Sequence, residues 1–121
     1  MQDRKVRLLI VDDEPEVGNL LKHYLSAREY EVTVTFSGEE ALKILEKQPM
    51  DLVLLDILMH GISGEKVARI IKENYPKIKI VLVTAFPLLA EKIAKEVELA
   101  GCFIKPKGIE DIYQKLQKIS I

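Results

Sequence analysis

Five polar residues of this sequence stand directly after short apolar runs of the chain. Asp12 and Asp13 follow the first such run, and Asp56, Thr84 and Lys105 each follow another. A carboxylate can act as the nucleophile toward a phosphoryl group, and the transfer needs groups that neutralise three phosphoryl oxygens. These residue types therefore suit phosphoryl transfer to an aspartate, provided that the fold brings the five side chains together.

The acidic members of this set also indicate which cation would accompany them. Three crowded carboxylates repel one another, and a divalent cation together with the Lys105 ammonium group would balance their charge. No Cys or His stands at these positions. A donor set of oxygens alone favours Mg²⁺ over Zn²⁺, and Mg²⁺ commonly bridges to phosphate oxygens. We therefore predict a Mg²⁺ site that includes Asp12, Asp13 and Asp56.

Two hydrophobic periods alternate along the chain and predict the elements that must position these residues. Residues 6–11, 52–55, 78–83 and 100–104 are short, almost continuously apolar runs, which are typical of strands buried on both faces. Residues 32–36 alternate between apolar and polar side chains, which predicts a strand at an edge of the sheet. The chain therefore contains five predicted strands.

A helical pattern follows each predicted strand. Pro15 suits the first turn of the first helix, because its missing N–H costs nothing there. Ser37 and Glu40 have the spacing of a capping box before the second helix. Apolar residues at helical spacing predict the remaining three helices within residues 67–74, 89–97 and 109–119.

Five strands that alternate with five helices predict an α/β fold with one parallel sheet, because right-handed crossovers place helices on both faces. A length of 121 residues is too short for an eight-stranded barrel. We therefore predict an open, doubly wound (βα)5 sheet, whose ligands bind at the carboxyl ends of the strands. If the first and third strands are neighbours, their spacing of roughly 5 Å brings the carboxylates of Asp13 and Asp56 within reach of one cation.

The composition describes one compact domain and excludes several classes of protein. The 121 residues are 48% hydrophobic, which is enough for one core and too little for two. The 18 basic and 19 acidic residues nearly cancel, which argues against direct binding of nucleic acid. Residues 80–90 are the longest mostly apolar stretch and are far too short to span a bilayer, so that we expect no insertion into a membrane.

The location of the chain is predicted from two further features. The apolar run near the N-terminus ends at Asp12, which is not the pattern of a signal peptide. Cys102 is the single cysteine, which excludes an internal disulfide and fits a reducing compartment. We therefore expect a soluble, cytoplasmic protein with one domain over residues 1–121 and no attached output domain.

Five short motifs, in order and spread over the whole chain, resemble those of the receiver domains of bacterial and archaeal response regulators. They are Val-Asp-Asp at 11–13, Leu-Leu-Asp-Ile-Leu-Met at 54–59, Gly64, Val-Thr-Ala at 83–85 and Ile-Lys-Pro at 104–106. The resemblance implies a flavodoxin-like strand order of 2-1-3-4-5 and a role in two-component phosphorelay signalling. A sensor histidine kinase or a phosphotransfer protein would be the phosphoryl donor. A downstream protein target would bind the face formed by helix 4, strand 5 and helix 5.

The resemblance also implies a role for each matching residue of the metal site. Asp13 would be a direct Mg²⁺ ligand, and Asp12 would act mainly through water. Asp56 would bind the metal as well as accept the phosphoryl group. The backbone carbonyl of Leu58 would be the third protein ligand.

The residues around the phosphoryl group take their implied roles in the same way. Thr84 resembles the switch hydroxyl, and Lys105 resembles the lysine that contacts the phosphoryl group. Pro106 matches a proline that a cis peptide bond precedes in the family. A chain of this kind is a phosphoacceptor that assists its own phosphorylation and slow dephosphorylation, and it is not a conventional enzyme.

Several positions depart from the pattern of the family. His60 replaces a proline, and Lys107-Gly108 replaces an aromatic residue. Leu58 and Phe86 replace polar residues that often orient a hydrolytic water in the family. Cys102 replaces the switch aromatic. We therefore predict a long-lived phosphorylated form. We also predict that the switch moves residues 84–89, with Phe86 as the movable aromatic, and that Phe103 points away from Cys102 because neighbouring strand residues alternate.

Three other functions remain open at this point. A degenerate receiver would be a constitutive protein-interaction module, and the altered switch residues keep that alternative open. A phosphohydrolase with an aspartyl-phosphate intermediate would need a second acid two residues after the nucleophile, and Leu58 cannot serve. A flavin or nucleotide carrier would need a glycine-rich phosphate loop, which does not follow the first strand.

Overall fold

The five predicted strands form one parallel sheet in the computed structural model, which describes residues 5–57, 61–104 and 108–119. The strands are β1 (Val6–Val11), β2 (Tyr30–Thr35), β3 (Leu52–Asp56), β4 (Lys79–Thr84) and β5 (Gly101–Ile104). Their order in the sheet is β2-β1-β3-β4-β5. Every neighbouring pair is parallel. The predicted fold class and strand order are therefore confirmed.

Helices cover both faces of this sheet, and each face has its own hydrophobic core. The helices are α1 (Pro15–Ser26), α2 (Gly38–Lys47), α3 (Gly64–Asn74), α4 (Pro87–Glu96) and α5 (Ile109–Gln117). Side chains of α1 and α5 pack with Leu8 and Ile10 of β1 on one face. Side chains of α2, α3 and α4 pack with Leu9 and Val11 on the other face. Consecutive residues of β1 thus enter opposite cores, as expected for a strand buried on both faces.

The edge strand β2 begins two residues earlier than the alternating pattern predicts. Tyr30 pairs with Val6 of β1, and its side chain is only 4% exposed. Pairing with β1 therefore extends the strand to Tyr30, although the alternation of apolar residues begins at Val32. Among the strands that the structure describes, β1 is the single neighbour of β2, which confirms the predicted edge position.

The starts of the helices follow the carboxyl ends of the strands, and the start of α2 explains where β2 stops. The Ser37 hydroxyl accepts a hydrogen bond from the Glu40 N–H at 3.1 Å, and a Glu40 carboxylate oxygen accepts one from the Phe36 N–H at 2.9 Å. The first bond is the predicted cap by Ser37, whereas Glu40 reaches one residue further back than a capping box requires and accepts from Phe36. This second bond occupies the Phe36 N–H, and β2 ends at Thr35. Ser63 caps α3 in a similar way, whereas α1 and α4 begin with proline. No helix in the described parts of the chain is long and apolar enough to cross a membrane.

Candidate functional site

The register of the sheet places Asp12 and Asp56 side by side. Val11 of β1 pairs with Leu55 of β3, so the residues that follow them in the chain leave the sheet at the same edge. One carboxylate oxygen from each of Asp12, Asp13 and Asp56 lies within 4.8 Å of the others. Asp12 and Asp56 are 4% and 7% exposed, and Asp13 is partly buried. The structure therefore brings together the three acids that the sequence suggested.

The chemistry of this acidic cluster fits a hard divalent cation. The cluster contains only carboxylates among the residues that the structure describes, and such oxygens are the ligands that Mg²⁺ prefers. Three carboxylates this close repel one another, and that repulsion is stronger where burial keeps water away. A cation that binds between them converts this repulsion into attraction, so that Asp12, Asp13 and Asp56 would hold it.

An apolar cavity borders the cluster on the side of α1 and α5. Its volume is about 310 Å³, and Asp12 and Asp56 contribute to its lining together with apolar residues such as Val17, Phe103 and Ile112. Apolar walls strengthen electrostatic interactions because they lower the local dielectric constant. The cavity therefore favours charge compensation at the carboxylates, and it arises only when the two helices pack on the sheet.

Hydrogen bonds to the backbone orient Asp12. Its Oδ1 atom accepts a hydrogen bond from the Glu14 N–H at 2.9 Å, immediately before α1. Its own N–H donates to the carbonyl oxygen of Thr35 in β2 at 3.1 Å. Asp12 thus serves the start of a helix, as acidic residues often do, and belongs to the acidic cluster as well.

Close backbone packing positions Asp56. The Ile57 N–H donates to the carbonyl oxygen of Val83 at 3.3 Å, and the Gly64 N–H donates to the carbonyl oxygen of Ile57 at 3.0 Å. A Cβ atom on Gly64 would lie 2.5 Å from the Ile57 Cα atom and 2.6 Å from the Asp56 carbonyl oxygen. Only glycine therefore lets α3 begin this close to Asp56. The sequence identified Gly64 as part of a motif, whereas this contact is visible only in the structure.

Thr84 ends β4 beside the acidic cluster, and its hydroxyl holds the turn into α4. The Thr84 side chain is 2% exposed, and its Oγ1 atom accepts a hydrogen bond from the Phe86 N–H at 3.0 Å. Phe86 is the N-cap residue of α4, and its side chain makes no capping hydrogen bond. The Thr84 hydroxyl therefore accepts the Phe86 N–H at the start of α4 and fixes the turn that leads into this helix.

The two residues at the altered switch position point in opposite directions. Cys102 packs on the face covered by α2, α3 and α4, and Phe103 is buried on the face covered by α1 and α5. The predicted orientation of Phe103 is confirmed. Burial raises the pKa of the Cys102 thiol, and the positive charge of Lys115 opposes this effect only in part. Cys102 is therefore a packing residue with a protonated thiol near neutral pH.

Some of the predicted site residues lie outside the described residues. They are Leu58, His60, Lys105, Pro106 and Lys107. The metal contact of the Leu58 carbonyl, the phosphoryl contact of Lys105 and the cis peptide bond before Pro106 stay predictions.

Comparison with known proteins gives a consistent family. The model of the response regulator receiver domain matches residues 8–117. Heme response regulator HssR of Staphylococcus aureus is 36% identical over 115 residues, which cover 94% of this chain and 51% of the relative. The chain thus spans about half the length of the curated relatives that it matches.

Solved structures agree with this match. Response regulator TrrA of Thermotoga maritima, solved in complex with Mg²⁺-BeF, is 36% identical with a TM-score of 0.82, and the alignment covers 93% of this chain and 97% of TrrA. Chemotaxis protein CheY4 of Vibrio cholerae has a TM-score of 0.89 at 24% identity, with 96% and 99% coverage. At that identity the second likeness supports the fold alone.

Proposed function

Because this chain belongs to the response regulator receiver domain family of two-component systems, we propose that it is a phosphoacceptor in which Asp56 receives the phosphoryl group. The observation that carries the proposal is the meeting of Asp12, Asp13 and Asp56 carboxylates within 4.8 Å at one edge of the sheet. The likeness to TrrA, which was solved with Mg²⁺-BeF, supports Mg²⁺ as the cation. The comparisons give no support to a constitutive interaction module or a phosphohydrolase.

Asp56 is the best placed of the three acids to act as the nucleophile. It ends β3, the central strand of the sheet, between β1 and β4. Asp12 already accepts a backbone hydrogen bond at the start of α1. The proposed division of roles therefore gives Asp12 and Asp13 to the cation and Asp56 to both the cation and the phosphoryl group.

In the proposed reaction, a carboxylate oxygen of Asp56 attacks the phosphorus atom of a phosphohistidine on the sensor kinase or phosphotransfer protein. The new O–P bond forms as the P–N bond breaks, and the leaving histidine nitrogen keeps the electron pair and takes a proton from solvent. Bound Mg²⁺ would neutralise charge on the carboxylates and on the phosphoryl oxygens. The Leu58 carbonyl as a further ligand and the Lys105 ammonium as a phosphoryl contact complete the proposal.

The hydroxyl of Thr84 would connect the reaction to the output surface. A phosphoryl group on Asp56 adds about two negative charges, which would draw the Thr84 hydroxyl toward them. Movement of Thr84 would break its hydrogen bond with the Phe86 N–H and release the first turn of α4. Phe86 and Leu88 are 52% and 79% exposed there and offer apolar surface to a protein target. The target would bind the face formed by α4, β5 and α5.

The mass of the intact protein tests the phosphoacceptor assignment. After incubation with acetyl phosphate and Mg²⁺, the wild-type protein should gain the mass of one phosphoryl group, and chelation of the metal should prevent the gain. Asp56→Asn should show no gain, because an amide oxygen is a poor nucleophile. Unchanged labelling of Asp56→Asn would move the acceptor to another residue.

The metal ligands can be tested with the same assay and a Mg²⁺ titration. Asp13→Ala removes a proposed direct ligand, so that Mg²⁺ affinity and phosphorylation rate should fall together by about tenfold or more. Glu16→Ala is a matched control, because Glu16 is an exposed acidic residue in the first turn of α1 and is not in the acidic cluster. Wild-type Mg²⁺ affinity in Asp13→Ala would refute the assignment.

A further inference from the structure

The carboxylate of Glu39, in the first turn of α2, reaches the loop that joins β3 to α3. Its Oε2 atom accepts a hydrogen bond from the Ile62 N–H at 3.1 Å. Gly61 has a φ of +81°, and a Cβ atom on it would lie 2.9 Å from the same oxygen. A glycine with this left-handed backbone therefore lets the loop pass close to the Glu39 carboxylate.

The residue before Glu39 makes the same two elements fit closely. A Cβ atom on Gly38 would lie 2.4 Å from the Ile62 Cγ2 atom and 2.6 Å from the Val67 Cγ2 atom. Ile62 packs against the core on this face, and Val67 is fully buried in it. Two consecutive residues of α2 thus hold the end of the loop, one by close packing and the other by a hydrogen bond.

The held segment leads directly to the backbone of Asp56. Ile62 is followed by Ser63, which caps α3, and by Gly64, which packs on the Asp56 carbonyl oxygen. The Gly64 N–H also donates to the carbonyl oxygen of Ile57 at 3.0 Å. A short series of direct contacts therefore runs from the Glu39 carboxylate to the end of β3.

We propose that Glu39 is a positioning residue for the acidic site. It holds Gly61 and Ile62 so that Gly64 stays packed against Asp56, and this contact keeps the Asp56 carboxylate near those of Asp12 and Asp13. The consequence for phosphorylation rests on the proposed function above. The consequence for the backbone at Asp56 can be measured without any phosphoryl donor.

Two substitutions of Glu39 separate its hydrogen bond from its charge. Glu39→Asp keeps the negative charge at the helix start but shortens the side chain by one methylene, so that the carboxylate no longer reaches Ile62. Glu39→Gln removes the charge but keeps an oxygen that accepts the Ile62 N–H. Glu40→Asp is the matched control, because Glu40 is the next residue and accepts the Phe36 N–H instead.

The experiment measures Mg²⁺ affinity by calorimetry, the initial rate of labelling by acetyl phosphate, and the backbone amide chemical shifts of Asp56 and Ile57 without added metal. Glu39→Asp should weaken Mg²⁺ binding and slow labelling by about threefold to tenfold, the range expected for one lost hydrogen bond. It should also shift both amide resonances. Glu39→Gln and Glu40→Asp should stay within about twofold of the wild type.

Each outcome bears on one of the two proposals. Unchanged Asp56 and Ile57 resonances in Glu39→Asp would overturn the positioning role, whatever the phosphorylation assay shows. A loss of Mg²⁺ affinity in Glu39→Gln together with wild-type affinity in Glu39→Asp would also overturn it, because the charge and not the hydrogen bond would then be responsible. A wild-type protein that takes no phosphoryl group would overturn the proposed function, while the amide shifts would still decide the role of Glu39.

Discussion

Phe86 lies two positions after Thr84. It is the N-cap residue of α4, and its side chain is exposed to solvent. Its side chain is 52% exposed, and its N–H is held by the Thr84 hydroxyl. An aromatic ring at this position offers no hydrogen bond to a water molecule that approaches a phosphoryl group. A water without an orienting partner loses the contribution that positioning makes to hydrolysis.

The phosphorylated form should be long-lived, because neither Leu58 nor Phe86 can orient the attacking water. The double variant Leu58→Asn with Phe86→Glu should lose the phosphoryl group about tenfold faster or more, because the new polar groups can orient or deprotonate the water. The measurement is the decay of the phosphorylated mass after the donor is removed.

A control for this prediction combines Leu58→Asn with Leu88→Glu. Leu88 lies on the first turn of α4, and its side chain is 79% exposed. Leu88→Glu therefore adds the same charge nearby, on a side chain that is more exposed to solvent than that of Phe86. Its decay should remain slower than that of the double variant with Phe86→Glu. If the variant with Phe86→Glu lost its phosphoryl group no faster than the control with Leu88→Glu, the role given to Leu58 and Phe86 would be contradicted.

At the scale of elements, α3 begins in direct contact with the backbone of Asp56 and Ile57 at the end of β3. Gly64→Ala would place a methyl group 2.5–2.6 Å from backbone atoms of Asp56 and Ile57, which cannot move aside as a flexible side chain could. We expect a loss of about 1–3 kcal/mol in the free energy of unfolding and a weaker affinity for Mg²⁺. Denaturant unfolding and calorimetry measure the two effects.

Gly101→Ala is the matched control for that substitution. A Cβ atom there would meet Lys115 at 3.6 Å and Val81 at 3.9 Å, which are ordinary contacts. The control should be no less stable than the wild type, because the new side chain also restricts the unfolded chain. If Gly64→Ala were as stable as Gly101→Ala and bound Mg²⁺ normally, close packing of α3 would not position Asp56.

The start of α4 is the second element whose behaviour can be predicted. Phosphorylation should speed amide hydrogen exchange in residues 84–89, most of all at Phe86, because its N–H loses the Thr84 oxygen as acceptor. Thr84→Val should show fast exchange there even without phosphorylation, whereas Thr84→Ser should behave like the wild type. Changes confined to α2 and α3, with residues 84–89 silent, would contradict the proposed switch.

At the scale of the whole molecule, an aromatic cluster joins α1, β2 and α5 near the start of β2. The rings of Tyr24 and Tyr30 each pack edge-to-face on Tyr113, with centroids 6.0 Å and 6.3 Å apart. The Arg28 guanidinium lies over the Tyr24 ring at 3.5 Å, and the Tyr113 hydroxyl donates to Glu29 at 3.2 Å. The acidic cluster lies at the other end of the strands, so that changes here report on stability rather than on the site.

The buried hydroxyl of Tyr30 should make the free energy of unfolding fall at alkaline pH. Burial, with a smaller effect from Glu29, raises the pKa of Tyr30 to about 12, compared with about 10 in an unfolded chain. The unfolded chain therefore releases this proton first. The stabilisation is complete below pH 10 and is lost as the pH rises through about 12.

Thermal unfolding between about pH 8 and pH 12 checks this prediction. The midpoint of the wild type should fall steeply above pH 10, and Tyr30→Phe should fall less, because it keeps the packed ring without the titrating hydroxyl. Burial and Glu29 also raise the pKa of Tyr113, so that some decrease should remain in the variant. An identical decrease in both proteins would show that Tyr30 does not control alkaline stability.

The helices and strands and their succession along the chain could be predicted from the sequence, because hydrophobic periodicity is a local property. Buried strands show continuous apolar runs and helices show a period of 3.6 residues, whatever their final neighbours are. The same reasoning located Asp12, Asp13, Asp56 and Thr84 at strand ends. The strand order, in contrast, came from the resemblance to receiver domains, since periodicity does not identify the neighbour of a strand.

Contacts between distant segments were decided only by the tertiary structure. The extension of β2 to Tyr30 depends on pairing with Val6, and the meeting of Asp12 with Asp56 depends on the register between Val11 and Leu55. Neither the packing of Gly64 on the Asp56 backbone nor the reach of Glu39 to Ile62 leaves a periodic signal in the sequence. Such contacts depend on how closely two backbones approach after the helices have packed, and this distance is a property of the whole fold.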